Sequence, residues 1–178
     1  THFTRAAFRK VLGEGVQLRV VYDIAHNIAK RERHSAGNGE RDVLVHRKGA
    51  TRSFPAGAPE VPAAYRDVGQ PVLIPGSMGT ASYVLVGTAR AMAETFGTVC
   101  HGAGRAMSRT AAKKGRDARV EIKKLEDQGI ILRSETRAGI LEEVPEAYKN
   151  VDEVVDVVHN AGLARKVARL RPMGVIKG

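Results

Sequence analysis

The chain has 178 residues, 43% of them hydrophobic, with 29 Lys and Arg against 19 Asp and Glu and a formal net charge of +10. That length and apolar content predict one compact domain and exclude a disordered or fibrous chain. A single cysteine excludes an internal disulfide and a multi-thiolate metal centre, and the lack of Trp, with only four Phe and four Tyr, argues against an aromatic platform for stacked single strands.

The opening run FTRAAFRKVLGEG sets Phe3, Ala6, Ala7, Val11 and Leu12 close to one helical face, with Thr4 placed to cap it and Gly13 to stop it. VQLRVVYDIAHNIAK alternates β-branched and aromatic residues, which predicts a strand carrying Tyr22 and Asp23 toward a loop or helix start at His26. RERHSAGNGERD reads as an exposed turn. VLVHRKGATRSFPAGAPEVPAAY starts as a strand and dissolves into a loop, because Pro55, Pro59 and Pro62 exclude regular helix. QPVLIPG and ASYVLVGTA have the length of buried strands and are joined by the glycine-bracketed PGSMGT. MSRTAAKKG and ARVEIKKLEDQG have helical spacing and end in Gly115 and Gly129, whereas IILRSE reads as strand. NVDEVVDVVHNAGL predicts a helix capped by Asn150, with Asp152 and Glu153 at its positive end and Val151, Val154, Val155 and Val158 as its apolar stripe. The tail ARKVARLRPMGVIKG is basic and strand-like. This order is mixed α+β rather than regular βαβ. No apolar run reaches the roughly 20 residues of a membrane helix and the start lacks a signal-peptide core, so a cytoplasmic protein without a membrane partner is expected.

The excess of Arg and Lys favours a polyanionic or phosphorylated partner. YDIAHNIAK, HRKGATRSFP, PGSMGTASY and CHGAGRAMSR hold more Gly, Ser, His, Asn and Arg than core packing requires. Glycine lets the backbone approach a ligand, hydroxyls and free N–H groups donate to phosphate, and arginine clamps its oxygens in pairs. The set describes a phosphate site better than an acyl-transfer site, although none of the four is a Walker loop or dinucleotide fingerprint and each alone also reads as a structural glycine turn. In DIAHN, His26 is either a ligand for a divalent transition metal, with Asn27 turned toward a nucleotide, or a hydrogen-bonded histidine at a strand end. His2, His34, His46 and His159 add no HxH or HExxH spacing, so the chain carries no complete metal motif. Cys100 and His101 are neighbours whose side chains diverge, which makes a Cys-His nucleophile pair a poor reading. His101 alone has what an imidazole attacking a nucleotide α-phosphate needs: flexible Gly102 and Gly104, and cations at Arg105 and Arg109. A polar residue in a turn has the same local sequence.

Taken in order, YDIAHNIAK, HRKGATRSFPAG, PGSMGTASYVLVGT, CHGAGRAMSR and the terminal PMGVIKG resemble the RtcB family, RNA-splicing ligases that join a 2′,3′-cyclic phosphate or 3′-phosphate RNA end to a 5′-hydroxyl end. The resemblance spans the chain but matches only the C-terminal part of that family. Residues 1–178 are therefore expected to be the C-terminal portion of an RtcB-like ligase domain. The N-terminal half, with a metal-binding aspartate and cysteine, further histidine ligands and a guanine-contacting glutamate, is not in this sequence. The implied fold is α+β, with mixed, largely antiparallel sheets layered with helices.

The resemblance implies that His101 is the nucleophile guanylated by GTP and that His26 is a manganese ligand. Asn27, Ser77, Ser82, Tyr148 and Lys177 fall at positions like those that hold GTP or GMP, with Lys177 near the guanine edge. His101, Gly102, Ala103 and Gly104 would line the nucleotide, Arg105 and Arg109 would handle phosphate of the nucleotide or the RNA, and Arg47, Lys48 and Arg52 would form a basic loop against RNA. Cys100 is a bystander. The implied activity is GTP- and Mn2+-dependent RNA ligation in tRNA splicing and RNA repair. Its partners would be tRNA halves or broken RNA ends, GTP, the missing half and an accessory activator protein. Without that half the chain is expected to bind manganese weakly and to guanylate itself poorly. The alternative is a non-catalytic RNA-binding module or an inactive fragment that retains the fold.

Overall fold

In the computed structural model, which describes residues 1–177, the first element is helix α1, His2–Leu12. None of its residues is buried. Its cap position is Thr1, so Thr4 lies within the helix and does not cap it; Gly13, at φ 92°, ends it as the sequence predicts.

The sequence predicts a strand through Tyr22 and Asp23 that gives way to a loop or helix at His26, and the structure has the reverse order. Residues 16–25 form no ladder; Arg5 Nε donates to the Leu18 carbonyl at 2.9 Å and the Tyr65 hydroxyl donates to the Val21 carbonyl. Strand β1, Asn27–Ala36, starts directly after His26 and pairs antiparallel with β2, Gly39–Lys48, in register from Asn27↔Lys48 to Ala36↔Gly39. Most of the expected exposed turn is thus hairpin, with only Gly37 and Asn38 at its tip and Gly37 at φ 63°. The inner face of this ribbon buries charge instead of apolar side chains: Glu32, His34 and Arg47 are 8%, 2% and 2% exposed. Arg47 forks onto the Glu32 carboxylate through two bonds of 2.8 Å, and His34 Nε2 lies 3.0 Å from the same carboxylate. Arg47 is therefore enclosed and is not an RNA contact. Arg52 is half-buried, with its guanidinium 4.7 Å over the Phe54 ring, whereas Lys48 is exposed.

Strand β3, Ala50–Arg52, pairs antiparallel with β6, Thr98–Cys100, and β6 delivers His101. Strands β4, Pro71–Ile74, β5, Ser82–Gly87, and β8, Ala164–Leu170, form an antiparallel sheet in the order β4-β5-β8. Strands β7, Ile131–Ser134, and β9, Gly174–Lys177, pair in parallel. The basic tail is thus two strands broken around Pro172, which has no N–H to continue a ladder.

The helices follow their caps. Ser108, Asp117 and Asn150 accept backbone N–H bonds at the starts of α3, Arg109–Lys113, α4, Ala118–Asp127, and α6, Val151–Asn160. Two short helices go beyond the sequence prediction: α2, Ala89–Thr95, capped by Thr88, and α5, Arg137–Glu142, capped by Thr136. Helix α6 lays Val151, Val155 and Val158 on Val72, Ile74, Leu85 and Val99 of the sheets, and burying each such side chain is worth about 1.5–3 kcal/mol. Its first turn is pinned by Asp152, which accepts from the Tyr83 hydroxyl and pairs with Arg169 at 3.2 Å. A second cluster joins Met78, Leu125, Ile130, Leu132 and Ile140. The result is α+β, with small, mostly antiparallel sheets and helices packed on them. Among the described residues no helix is long and apolar enough to cross a membrane.

Candidate active site

Two glycine loops meet at the end of β6. The loop between β4 and β5 needs glycine at position 76, where a Cβ would lie 2.0 Å from the Ala81 carbonyl oxygen. It is held by its own hydroxyls: Gly76 N–H donates to Ser82 Oγ at 3.0 Å and Ser77 N–H to Thr80 Oγ1 at 2.7 Å. The second loop, 101–104, is tied at both ends, His101 N–H donating to the Gly49 carbonyl at 3.2 Å and Lys149 N–H to the Gly104 carbonyl at 3.0 Å. Gly104 sits at φ 78°, a conformation glycine adopts without strain. Between the loops lies a cleft of about 320 Å³, bounded also by Glu143, Tyr148, Lys149 and Lys177. That size falls at the small end of ligand pockets, roughly 300–1,000 Å³.

His101 forms one wall of the cleft. Its ring is stacked on the exposed ring of His26, with centroids 4.0 Å apart and planes 4° from parallel. Both residues hang from one turn, because Gly49 N–H donates to the His26 carbonyl at 2.9 Å while the Gly49 carbonyl holds His101. His101 Nδ1 is buried with no hydrogen-bond partner among the described residues. Burial first, and the neighbouring His26 second, push the His101 pKa below its ordinary value. The neutral imidazole that results is the form with a lone pair to donate.

Opposite, Glu143 organises the far wall. Its carboxylate accepts from the Tyr148 hydroxyl, from Arg105 at 3.2 Å and from Lys177 at 3.5 Å. Burial works to raise its pKa, but the Tyr148 hydrogen bond and the charges of Lys177 and Arg105 hold it below the ordinary carboxylate range. Arg105 is consumed by this network: it also donates to the Tyr148 hydroxyl at 3.0 Å and to the Glu142 and Met107 carbonyls.

Of the residues singled out in the sequence, Ser77, His101, Gly102, Ala103, Gly104, Tyr148 and Lys177 line one cleft, and His26 flanks it through the stacked ring. Ser82 supports the loop behind it, and Arg105 supports Tyr148 and Glu143. Asn27, at the start of β1, and Arg109, at the start of α3, are exposed and do not line it; Arg109 Nε is 3.7 Å from Glu142. Glu143 and Lys149 line it without having been predicted. Lys149 was readable as a cation beside Tyr148, but nothing local marks Glu143, whose partners Arg105 and Lys177 lie 38 and 34 residues away.

Among the described residues no three His, Cys, Asp or Glu side chains converge as a metal ion would require. His26 offers one imidazole, and burial raises the pKa of the Cys100 thiol, which disfavours the thiolate a metal needs. The residues present do not make a manganese site by themselves. A nucleotide fits better, since the cleft combines open glycine backbone, two lysines, a tyrosine ring and the His101 imidazole.

The family model described as tRNA-splicing ligase RtcB matches residues 1–178. Relatives bearing that same name include proteins from Archaeoglobus fulgidus, 57% identical over 99% of this chain, Thermococcus kodakarensis, 57% identical over 100%, and Nanoarchaeum equitans, 52% identical over 100%. The chain spans 37%, 38% and 38% of the length of those three relatives.

Proposed function

The chain belongs to the RtcB family, and from that premise we propose that it is the C-terminal part of a GTP- and manganese-dependent RNA ligase that works through a guanylated His101. One observation carries the reading: the His101 imidazole, its Nδ1 enclosed and its ring stacked on His26, stands at the wall of a glycine-lined, lysine-bearing cleft.

In this reading the open nitrogen of His101 bonds to the α-phosphorus of GTP, the bond to the bridging oxygen breaks and pyrophosphate leaves. An oxygen of an RNA 3′-phosphate then displaces the histidine and takes the guanylate, and the 5′-hydroxyl of a second RNA end displaces GMP to close the strand. A cyclic phosphate is first opened by water. The chain's own residues bind and orient: the amides of Gly102 and Gly104 approach the phosphates, Tyr148 and Lys177 hold the nucleotide, and Ser77 and Ser82 shape the facing loop. Asn27 and Arg109 are exposed outside the cleft; in this reading Asn27 would meet the nucleotide, and Arg109 the phosphate of the nucleotide or the RNA, from its rim. Manganese would neutralise phosphate charge, with His26 as this chain's ligand and the others supplied from outside residues 1–178. The substrates in this reading are tRNA halves or broken RNA ends in the cytoplasm, with an accessory activator as a further partner.

The test uses the full-length protein with GTP, manganese, and one RNA ending in 3′-phosphate and another starting in 5′-hydroxyl. Joined RNA is expected with the wild type and none with His101→Ala; joining by His101→Ala would overturn the reading. A second reading is a non-catalytic RNA-binding module, and among the described residues no three metal-ligating side chains converge. Full-length protein that binds the RNA ends but never joins them would support it.

A further inference from the structure

We infer that Arg47 is a positioning residue for His101: its buried guanidinium ties the hairpin that carries His26 to the strand that carries His101, and so sets one ring against the other. The inference rests on the reading of His101 as the nucleophile.

All three guanidinium nitrogens of Arg47 donate, through four of their five N–H groups. Two nitrogens grip Glu32 at 2.8 Å, Nε donates to Thr98 Oγ1 at 2.9 Å, and one terminal nitrogen also donates to the Phe96 carbonyl at 2.8 Å. Glu32 is on β1, Arg47 on β2, Phe96 at the end of α2, and Thr98 is the first residue of β6. One side chain thus joins three elements. Its place in the chain gives it leverage, because two residues further on is Gly49, whose backbone holds both His26 and His101. From the other direction, β6 runs only from Thr98 to Cys100 before it reaches His101. The hairpin and the catalytic strand are therefore fastened at two points that bracket the stacked rings, one at Arg47 and one at Gly49.

The chemistry of the fastening favours geometry over stability. A buried ion pair contributes little beyond what apolar packing would, and the best-attested use of such groups is to fix register. Phe96 adds a second sign: it has φ 51° and ψ 42°, a left-handed conformation unfavourable for a bulky residue, and Arg47 holds its carbonyl. A planar five-donor fork can hold Glu32, Phe96 and Thr98 at once, whereas a lysine could not.

The experiment uses full-length protein and two readouts: the rate at which labelled GTP guanylates the protein, and the rate at which diethyl pyrocarbonate modifies His101, followed by mass spectrometry. Arg47→Met is expected to lower the guanylation rate at saturating GTP by roughly ten- to a hundredfold, with half-saturation by GTP little changed. Modification of His101 should rise severalfold as the stacked ring loosens. Because Arg47→Met leaves Glu32 unpaired, Glu32→Gln with Arg47→Met is the decisive variant: it should regain melting temperature without regaining rate. Recovery of both, or modification of His101 at the wild-type rate in both variants, would show that Arg47 acts on stability alone and would overturn the inference. Wild-type protein that takes no guanylate would overturn the proposed function instead, and the modification rates would still decide the role of Arg47.

Discussion

The ring of His26 lies flat on the ring of His101, 4.0 Å between centroids and 4° from parallel. The contact joins the residue before a hairpin to the residue after a strand, and the turn at Gly49 bonds to the backbone of both. Under the proposed function this imidazole would both shield one face of the nucleophile and offer its own nitrogen to a metal. In full-length protein His26→Ala is expected to slow guanylation by roughly ten- to a hundredfold. His26→Phe, which keeps a flat ring but no ligand nitrogen, should do no better; measured rates for Phe equal to wild type would leave stacking as the residue's whole role.

Glu143 faces Tyr148, Arg105 and Lys177 at once. Glu143→Ala should release the lysine and tyrosine from their set positions and raise the GTP concentration for half-maximal guanylation by roughly ten- to a hundredfold, as expected for losing one charge-assisted hydrogen bond of about 1.5–3 kcal/mol. Glu143→Gln, which keeps an acceptor, should fall between. A GTP titration of the initial rate reads both.

Two cleft glycines should respond in opposite ways. A Cβ at Gly76 would sit 2.0 Å from the Ala81 carbonyl oxygen, whereas at Gly102 the nearest atom is the Pro75 carbonyl oxygen at 3.9 Å. Gly76→Ala is expected to cost about 1–3 kcal/mol by forcing the backbone apart. Gly102→Ala should stay within about 0.5 kcal/mol of wild type in stability. Urea unfolding of both variants checks the contrast.

The Glu32–Arg47 pair should give stability a defined acid limit. Burial works to raise the Glu32 pKa, but hydrogen bonds and charge from Arg47 and His34 hold it below its ordinary 4.5. A depressed folded value means that the carboxylate's contribution is fully present above about pH 4.5 and is lost as pH falls through the lower folded value. Arg47→Met at neutral pH is expected to cost about 3–5 kcal/mol, since it strands a buried charge. The gap in urea midpoint between wild type and Glu32→Gln should hold constant from pH 7 to about pH 5 and narrow only in more acidic buffer.

What the sequence revealed and concealed follows from where each signal resides. Helix α6 was legible because its cap, Asn150, and its stripe, Val151, Val155 and Val158, lie within one short run. Of the β1–β2 hairpin only VLVHRK, the end of β2, was legible; the rest was not, because its inner face buries Glu32, His34 and Arg47 and so lacks the apolar–polar alternation that marks a strand. Helices α2 and α5 have seven and six residues, too few for a period to show, although Thr88 and Thr136 already mark their starts. At the site, the glycine loops and His101 stood out because their composition departs from what a core needs. Glu143 did not, since beside the nearby Tyr148 its partners are Arg105 and Lys177, brought in from elsewhere in the chain.

The central claim is that His101 carries the guanylate, and the most direct measurement is mass-spectrometric mapping of the adduct after full-length protein has been incubated with GTP and manganese. A single guanylate on the peptide containing His101, absent from His101→Ala, is the expected result. Guanylate on any other residue, or labelling of His101→Ala at the wild-type level, would contradict it.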